Sequence, residues 1–218
     1  MFSDAASFKH EMIPAIVDSV NTVLSKTGIK AIPIGSGATP TPGKVSGDLD
    51  LIVDQNELAQ FFSTDDPKVI RKKLRQLFDL AGFETGQSGV SVHVRVPLGD
   101  QAHQVDIMVT QNAMDVSKFH THAIPQGSKY KGVNKQIAMS YLAKQRGLKW
   151  SAFKGLLNRT DDSMVSKDVN DIAKILIGSN ATAQDLGSVE SIANALPPQE
   201  SAQMMADLKA DPNWKELP

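Results

Sequence analysis

The chain has 218 residues, 41% of them hydrophobic and 22% charged, with a net charge of −1 and no cysteine. That length admits one large domain or two small ones in an ordinary globular composition, and the missing cysteine excludes disulfides, thiol catalysis and cysteine-ligated zinc. There is no apolar run of about eighteen residues to span a membrane, and the N-terminal MFSDAASFKHEMIPAIV, with Asp4 and Glu11, lacks the apolar block of a signal peptide, so a cytoplasmic protein with no membrane partner is expected.

Residues 6–25 carry Phe8, Met12, Ile13, Ile16, Val20, Val23 and Leu24 on one stripe, which predicts an amphipathic helix bent near Pro14. A strand is predicted at 31–34, followed by a Gly-, Pro-, Thr- and Ser-rich loop over 35–47 and a second strand at 49–53. Residues 67–81 have helical periodicity. Two strands at 90–96 and 105–109 flank PLGDQ, whose Pro and Gly-Asp are hairpin chemistry. From about residue 131 the pattern is helical: 132–146 stopped by Gly147, 166–177, 182–196 opened by a Thr182–Asp185 cap, and 198–209. The expected fold is therefore α+β: a mixed sheet with flanking helices over 1–116, then a small helical domain over 117–218.

Charge breaks at the same place. Residues 1–116 hold 14 acids and 10 bases, residues 117–160 hold nine bases and no acid, and residues 161–218 hold 10 acids and four bases. An acid-free basic block of this kind is an expected nucleic-acid face, with Lys129, Lys131, Lys135, Lys144 and Arg146 as its contacts.

The chemistry concentrates in GSGATPTPGKVSGDLDLIVD. Asp48 and Asp50 are two apart on a strand and so share a face, while Leu49, Leu51 and Val53 point into a core. Paired carboxylates repel unless a cation lies between them, and a hard, oxygen-preferring ion such as Mg²⁺ suits them. Asp106 stands in the otherwise apolar QVDIMVT, where an unpaired charge is costly. If the two strands are neighbours, the three acids converge and can hold two Mg²⁺ or Mn²⁺ ions for phosphoryl transfer. Taken alone, Asp106 could instead pair with Arg95. Upstream, Gly35 and Ser36 can bring backbone N–H groups and a hydroxyl to phosphate oxygens, with Lys44, Ser46 and Gly47 closing the loop. The loop is not the GxxxxGK[ST] of a P-loop.

Other residues weigh less. His120 and His122 form His-x-His without a third ligand, His93 and His103 read as surface or strand-edge residues, and Met108 as core. Trp150 and Phe153, among Lys149 and Lys154, could stack on a base or belong to a core.

Strand, Gly-Ser, eleven residues, Asp-x-Asp and a later strand bearing one acid together resemble the DNA polymerase beta-like nucleotidyltransferase superfamily. VSGDLDL and QVDIMV look closest to family X DNA polymerases, and PQGSKYKGVNKQIAMSYLAKQRGLKWSAFKGLLNR with SKDVNDIAKIL looks like their thumb. The resemblance implies a palm at 1–116 and a thumb-like module at 117–218, like the minimal palm-plus-thumb enzymes that some viruses encode. It implies that Asp48 and Asp50 bind both metals and Asp106 the catalytic one. It further implies triphosphate contacts from Gly35, Ser36, Ser46 and Gly47, and sugar or base contacts from Gly127, Ser128 and Asn134. The chain departs from the pattern in its longer loop with Lys44 as its only base, in Pro125-Gln126 where an aromatic pair usually stands, and in lacking a preceding lyase-like domain. The expected activity is transfer of an NMP or dNMP from a nucleoside triphosphate to a hydroxyl, favouring a DNA or RNA 3′-end, by a monomer. Alternatives are transfer to a tRNA end, a protein or a small molecule, and a non-catalytic nucleic-acid-binding or virion protein of the same fold.

Overall fold

A computed structural model describes residues 2–120 and 128–214. The described residues up to Ser117 form one compact unit and those from Lys118 a second.

The first unit opens with a short strand β1 (Phe8–Lys9), a 3₁₀ turn (His10–Met12) and helix α1 (Ile13–Leu24). The predicted helix over 6–25 thus begins later, with Pro14 in its first turn, where the missing N–H of proline costs nothing. Strands β2 (Ile32–Pro33), β3 (Val45–Ser46) and β4 (Asp48–Asp54) follow. Then come helices α2 (Gln55–Phe62) and α3 (Pro67–Leu80) and strands β5 (Glu84–Ser88), β6 (Ser91–Leu98) and β7 (Gln101–Thr110); helix α4 (Ala113–His120) spans the division at Ser117.

Five of these strands form a mixed sheet in the order β2-β4-β7-β6-β5. Only β4 and β7 are parallel, because α2, α3 and the β5–β6 hairpin intervene between them. The β6–β7 hairpin closes on Gly99, at φ +61°, and Asp100, the two-residue turn that PLGDQ predicts. Leu49, Leu51 and Val53 of β4, Val92, Val94 and Val96 of β6, and Val105, Ile107 and Val109 of β7 face one core, which Ile16, Val20, Ile70, Leu74 and Phe78 of α1 and α3 complete. Period-two alternation therefore leaves the polar residues of β4 and β7 on the opposite face. Helix α2 is capped by Asp54, whose Oδ1 accepts from the N–H groups of Asn56 (2.8 Å) and Glu57 (3.4 Å), while its Oδ2 accepts from Ala113 N–H at 2.9 Å.

The second unit differs from the all-helical expectation. Helix α5 (Gly132–Gln145) ends before Gly147, whose φ of +70° makes it the expected stop. The segment that follows is an antiparallel three-stranded meander of β8 (Leu148–Ser151), β9 (Gly155–Asn158) and β10 (Met164–Ser166). Helix α6 (Val169–Leu176) comes next. The predicted helix over 182–196 is divided: the Thr182–Asp185 box caps a 3₁₀ turn (Ala183–Leu186), and Ser188 caps a separate α7 (Val189–Ala195) before α8 (Pro198–Lys209). Leu142, Leu156, Ile172, Leu176, Ile192 and Met204 are central to its core. No described helix is long and apolar enough to cross a membrane.

Candidate active site

The polar face of the sheet holds the acids. In the parallel β4–β7 pair, Asp50 stands level with Asp106 and Asp48 with Gln104. Neighbouring strands are about 4.8 Å apart, so register alone crowds these carboxylates. Asp48 is exposed and Asp50 half-buried. Burial, then the charges of Asp48 and Asp106, push the Asp50 carboxyl up to about 7. Burial and Asp106 also raise Asp48. Asp54, four residues further along β4, is occupied by its capping bonds and takes no part.

Asp106 does not pair with Arg95, which instead binds Asp4 (2.7 Å) and Glu84 (3.0 Å). Its Oδ1 accepts from Gln104 Nε2 at 2.9 Å and from His93 Nδ1 at 2.7 Å. On the other side of the ring, His93 Nε2 and the Ser88 hydroxyl are hydrogen-bonded at 2.6 Å. His93 and His103 are therefore not surface residues: they are 5% and 0% exposed, and His103 Nδ1 donates to the Ala6 carbonyl at 2.9 Å. The hairpin register explains both. His93 lies opposite Asp106, and His103 packs edge-on against Phe8 with centroids 5.7 Å apart. Met108 is half-buried on the polar face rather than in the core.

The Gly-Ser loop meets the acids at its start. Ile34 N–H donates to the Asp50 carbonyl at 3.0 Å. Gly35 has a φ of +57°, and a Cβ there would stand 3.6 Å from Asp50 Oδ2. A Cβ at Gly37 would lie 2.5 Å from Leu49 Cδ1, so a side chain there would require that leucine to shift. At the loop's end, Ser46 Oγ is 3.5 Å from Ser36 Oγ, while Lys44 and Gly47 are exposed. Gly35, Ser36, Ser46, Gly47, Asp48, Asp50 and Asp106 thus belong to one edge of the first unit. The donor set is all oxygen, which suits a hard divalent cation. Among the described residues no three His, Asp or Glu side chains already surround one point as ligands. The acids are close enough to repel, yet not closed into a coordination shell.

In the second unit the expected contact residues differ in burial and in their partners. Asn134 is 0% exposed and Lys135 5% exposed, both on the inward side of α5 with Ala138, Met139 and Leu142. Lys135 Nζ donates to the Phe119 carbonyl at 3.3 Å, and burial lowers its pKa to about 8. Arg146 is held by Glu200 at 2.8 Å. Lys129, Lys131 and Lys144 are exposed. Ser128 is half-buried and its hydroxyl accepts from Tyr130 N–H at 3.1 Å, while Gly127 and His122 lie outside the described residues. Trp150 belongs to the core: its indole N–H donates to Gln136 Oε1 at 2.7 Å and its ring meets Phe119 at 5.0 Å. Phe153 contacts the His120 ring at 5.4 Å, and His120 bonds the Ala152 carbonyl at 3.1 Å.

No protein-family model and no curated protein matches the chain. Among solved structures, the chain is similar to Leishmania infantum polymerase beta in a ternary P/T complex. The match has 14% identity and a TM-score of 0.51, covering 84% of this chain and 72% of that one. At that identity the likeness is one of fold: the chain has a polymerase beta-like α+β fold.

Proposed function

We propose that the protein is a metal-dependent nucleotidyltransferase whose site is Asp48, Asp50 and Asp106. The observation that carries this reading is the level pairing of Asp50 with Asp106 on parallel strands, where burial and then the charges of Asp48 and Asp106 push Asp50 up to about 7. A protein with no cation to bind gains nothing from such a cluster. The polymerase beta-like fold supports the same reading.

The reaction is attack of a hydroxyl on the α-phosphorus of a nucleoside triphosphate. A new P–O bond forms, the bond to the β-phosphate breaks, and pyrophosphate leaves. Two Mg²⁺ or Mn²⁺ ions, when bound, neutralise the triphosphate and acidify the attacking hydroxyl. Asp48 and Asp50 would hold both ions, and Asp106 the one on the acceptor side. Gln104 and His93 fix one oxygen of Asp106 and so orient the other. Ser36 and Ser46 supply hydroxyl donors to phosphate oxygens, the Gly35 and Gly47 backbone allows close approach, and Lys44 adds a positive charge. Ser128 and Gly127 are retained as candidate nucleotide contacts. Catalysis on this reading is positioning and electrostatics.

In this assignment the 1–116 segment is the catalytic palm and 117–218 a thumb-like module. The favoured acceptor is a nucleic-acid 3′-hydroxyl, for which the exposed Lys129, Lys131 and Lys144 are the candidate phosphate contacts. The deciding experiment offers α-labelled NTPs and dNTPs, with Mg²⁺ or Mn²⁺, to primer-templates, single strands and tRNA. Label should extend a nucleic-acid 3′-end. Label on no acceptor in the panel contradicts the assignment.

Nucleic-acid binding should weaken with salt, each phosphate contact contributing about 0.7–0.9 to the slope of log K against log salt. Reversing Lys129, Lys131 and Lys144 to Glu should flatten that slope with little change in thermal midpoint. Lys135→Glu should instead lower the midpoint, because it forces a carboxylate into the core beside the Phe119 carbonyl. Fluorescence anisotropy across a salt series, with melting curves, separates the two outcomes.

A further inference from the structure

His10 lies outside every motif considered so far, yet it is 1% exposed and fully engaged. Its Nδ1 accepts from Thr41 N–H at 3.0 Å. A ring nitrogen that accepts carries no proton, so in the neutral ring the proton is on Nε2, which donates to Ser46 Oγ at 2.8 Å. Burial, and then the Lys44 charge, lower the pKa of His10, with Glu11 opposing, so the ring is neutral at pH 7. The main chain adds further ties. His10 N–H donates to the Lys44 carbonyl at 2.9 Å, and Glu11 Oε1 accepts from Gly43 N–H at 2.7 Å. Strand β1 pairs with β3, bringing Phe8 level with Ser46. The segment 8–11 thus straps down the loop that runs from Gly35 to Asp48.

The strap has a chemical consequence. A hydroxyl that receives a hydrogen bond keeps its own hydrogen to give away. The Ser36 hydroxyl, 3.5 Å from Ser46 Oγ, is beyond the ordinary O–H···O range of about 2.5–3.0 Å. Ser46 is therefore a directed donor, two residues before Asp48, in a loop that also carries Ser36 and Lys44. The acceptor it suits is a phosphate oxygen.

We propose that His10 is a positioning residue that makes Ser46 a committed donor to the polyphosphate of the nucleotide. The inference rests on the nucleotidyltransferase reading for the identity of the ligand. His10 sets affinity for the phosphates and does not touch the reacting atoms.

The test uses the full chain, with Mg²⁺-ATP and Mg²⁺-tripolyphosphate as probes in calorimetry. The proteins are wild type, His10→Ala, His10→Gln, Ser46→Ala and the His10→Ala/Ser46→Ala pair, each with a melting curve. Each single Ala variant should weaken both probes by about tenfold, the scale of one hydrogen bond to a charged group. The double variant should bind no worse than the singles, because both remove the same interaction. Glutamine can still donate to Ser46 and should recover part of the loss. Without ligand, hydrogen exchange at Thr41 and Gly43 N–H should accelerate in His10→Ala and remain slow in Ser46→Ala. Wild-type affinity in folded His10→Ala, or effects that add in the double variant, overturns the role of His10 and leaves the function standing. Should His10→Ala fail to fold, His10→Gln and Ser46→Ala decide: loss in Ser46→Ala with retention in His10→Gln supports the clasp, and wild-type affinity in Ser46→Ala overturns it. A wild-type protein that binds neither probe overturns the nucleotidyltransferase reading and this inference together.

Discussion

Asp106→Asn should cut single-turnover nucleotidyl transfer by at least about a thousandfold while leaving nucleotide affinity near that of wild type. On the proposed mechanism Asp106 acts on the acceptor side, so its charge matters as the hydroxyl attacks and little while the triphosphate merely sits in place. The substitution is also structurally mild. Oδ1 of the asparagine can still accept from His93 Nδ1 and Gln104 Nε2, the two bonds that hold the present carboxylate at 2.7 and 2.9 Å. The thermal midpoint of the cation-free protein should therefore hold. Near-normal transfer by the variant, or its outright unfolding, would make Asp106 a structural strand residue. Measuring rate, affinity and midpoint on one preparation distinguishes these cases.

Asp50→Asn should behave differently, weakening nucleotide binding and turnover together, because Asp50 is assigned to the cation that travels with the triphosphate. It should also stabilise the cation-free fold. The Asp50 carboxyl titrates near 7 in the folded chain against an ordinary value of 3.8. Between those values the folded state holds more protons than the unfolded state, so stability declines as pH rises through the window and is lowest above it. Removing the charge removes that penalty. In EDTA at pH 8 the variant should exceed wild type by about 2–4 kcal/mol, and near pH 3 the two should coincide. Chemical denaturation at the two pH values checks this. A variant less stable than wild type at pH 8 would mean that the Asp50 carboxylate is held by favourable partners.

The acids were readable in the sequence because strand geometry is strict. Leu49, Leu51 and Val53 mark the core face of β4, so Asp48 and Asp50 must share the other, and the same alternation places Asp106 among Val105, Ile107 and Val109. The hairpin was readable from Gly99-Asp100 and the α5 terminus from Gly147, both set by local backbone chemistry. Strand β5 went unread because ETGQS is a polar edge strand with no apolar alternation. The β8–β10 meander went unread because its strands have only three or four residues, too few for alternation to show. The burial of Lys135 and Asn134 went unread for a related reason: α5 packs on several sides, so residue type did not report which face each occupied. The role of His10 depends on the pairing of β1 with β3, segments distant in the chain, and no local pattern announces that partner; the facing of His93 and Asp106 follows from the β6–β7 hairpin register.

The most direct test of the central claim is a titration of the protein with a nucleoside triphosphate, in Mg²⁺ and again in excess EDTA. Three mutually repelling carboxylates and a polyanionic ligand cannot share one face of the sheet without cations between them. Binding should be measurable with Mg²⁺ and fall below detection in EDTA. Equal affinity in the two conditions would contradict a metal site at Asp48, Asp50 and Asp106.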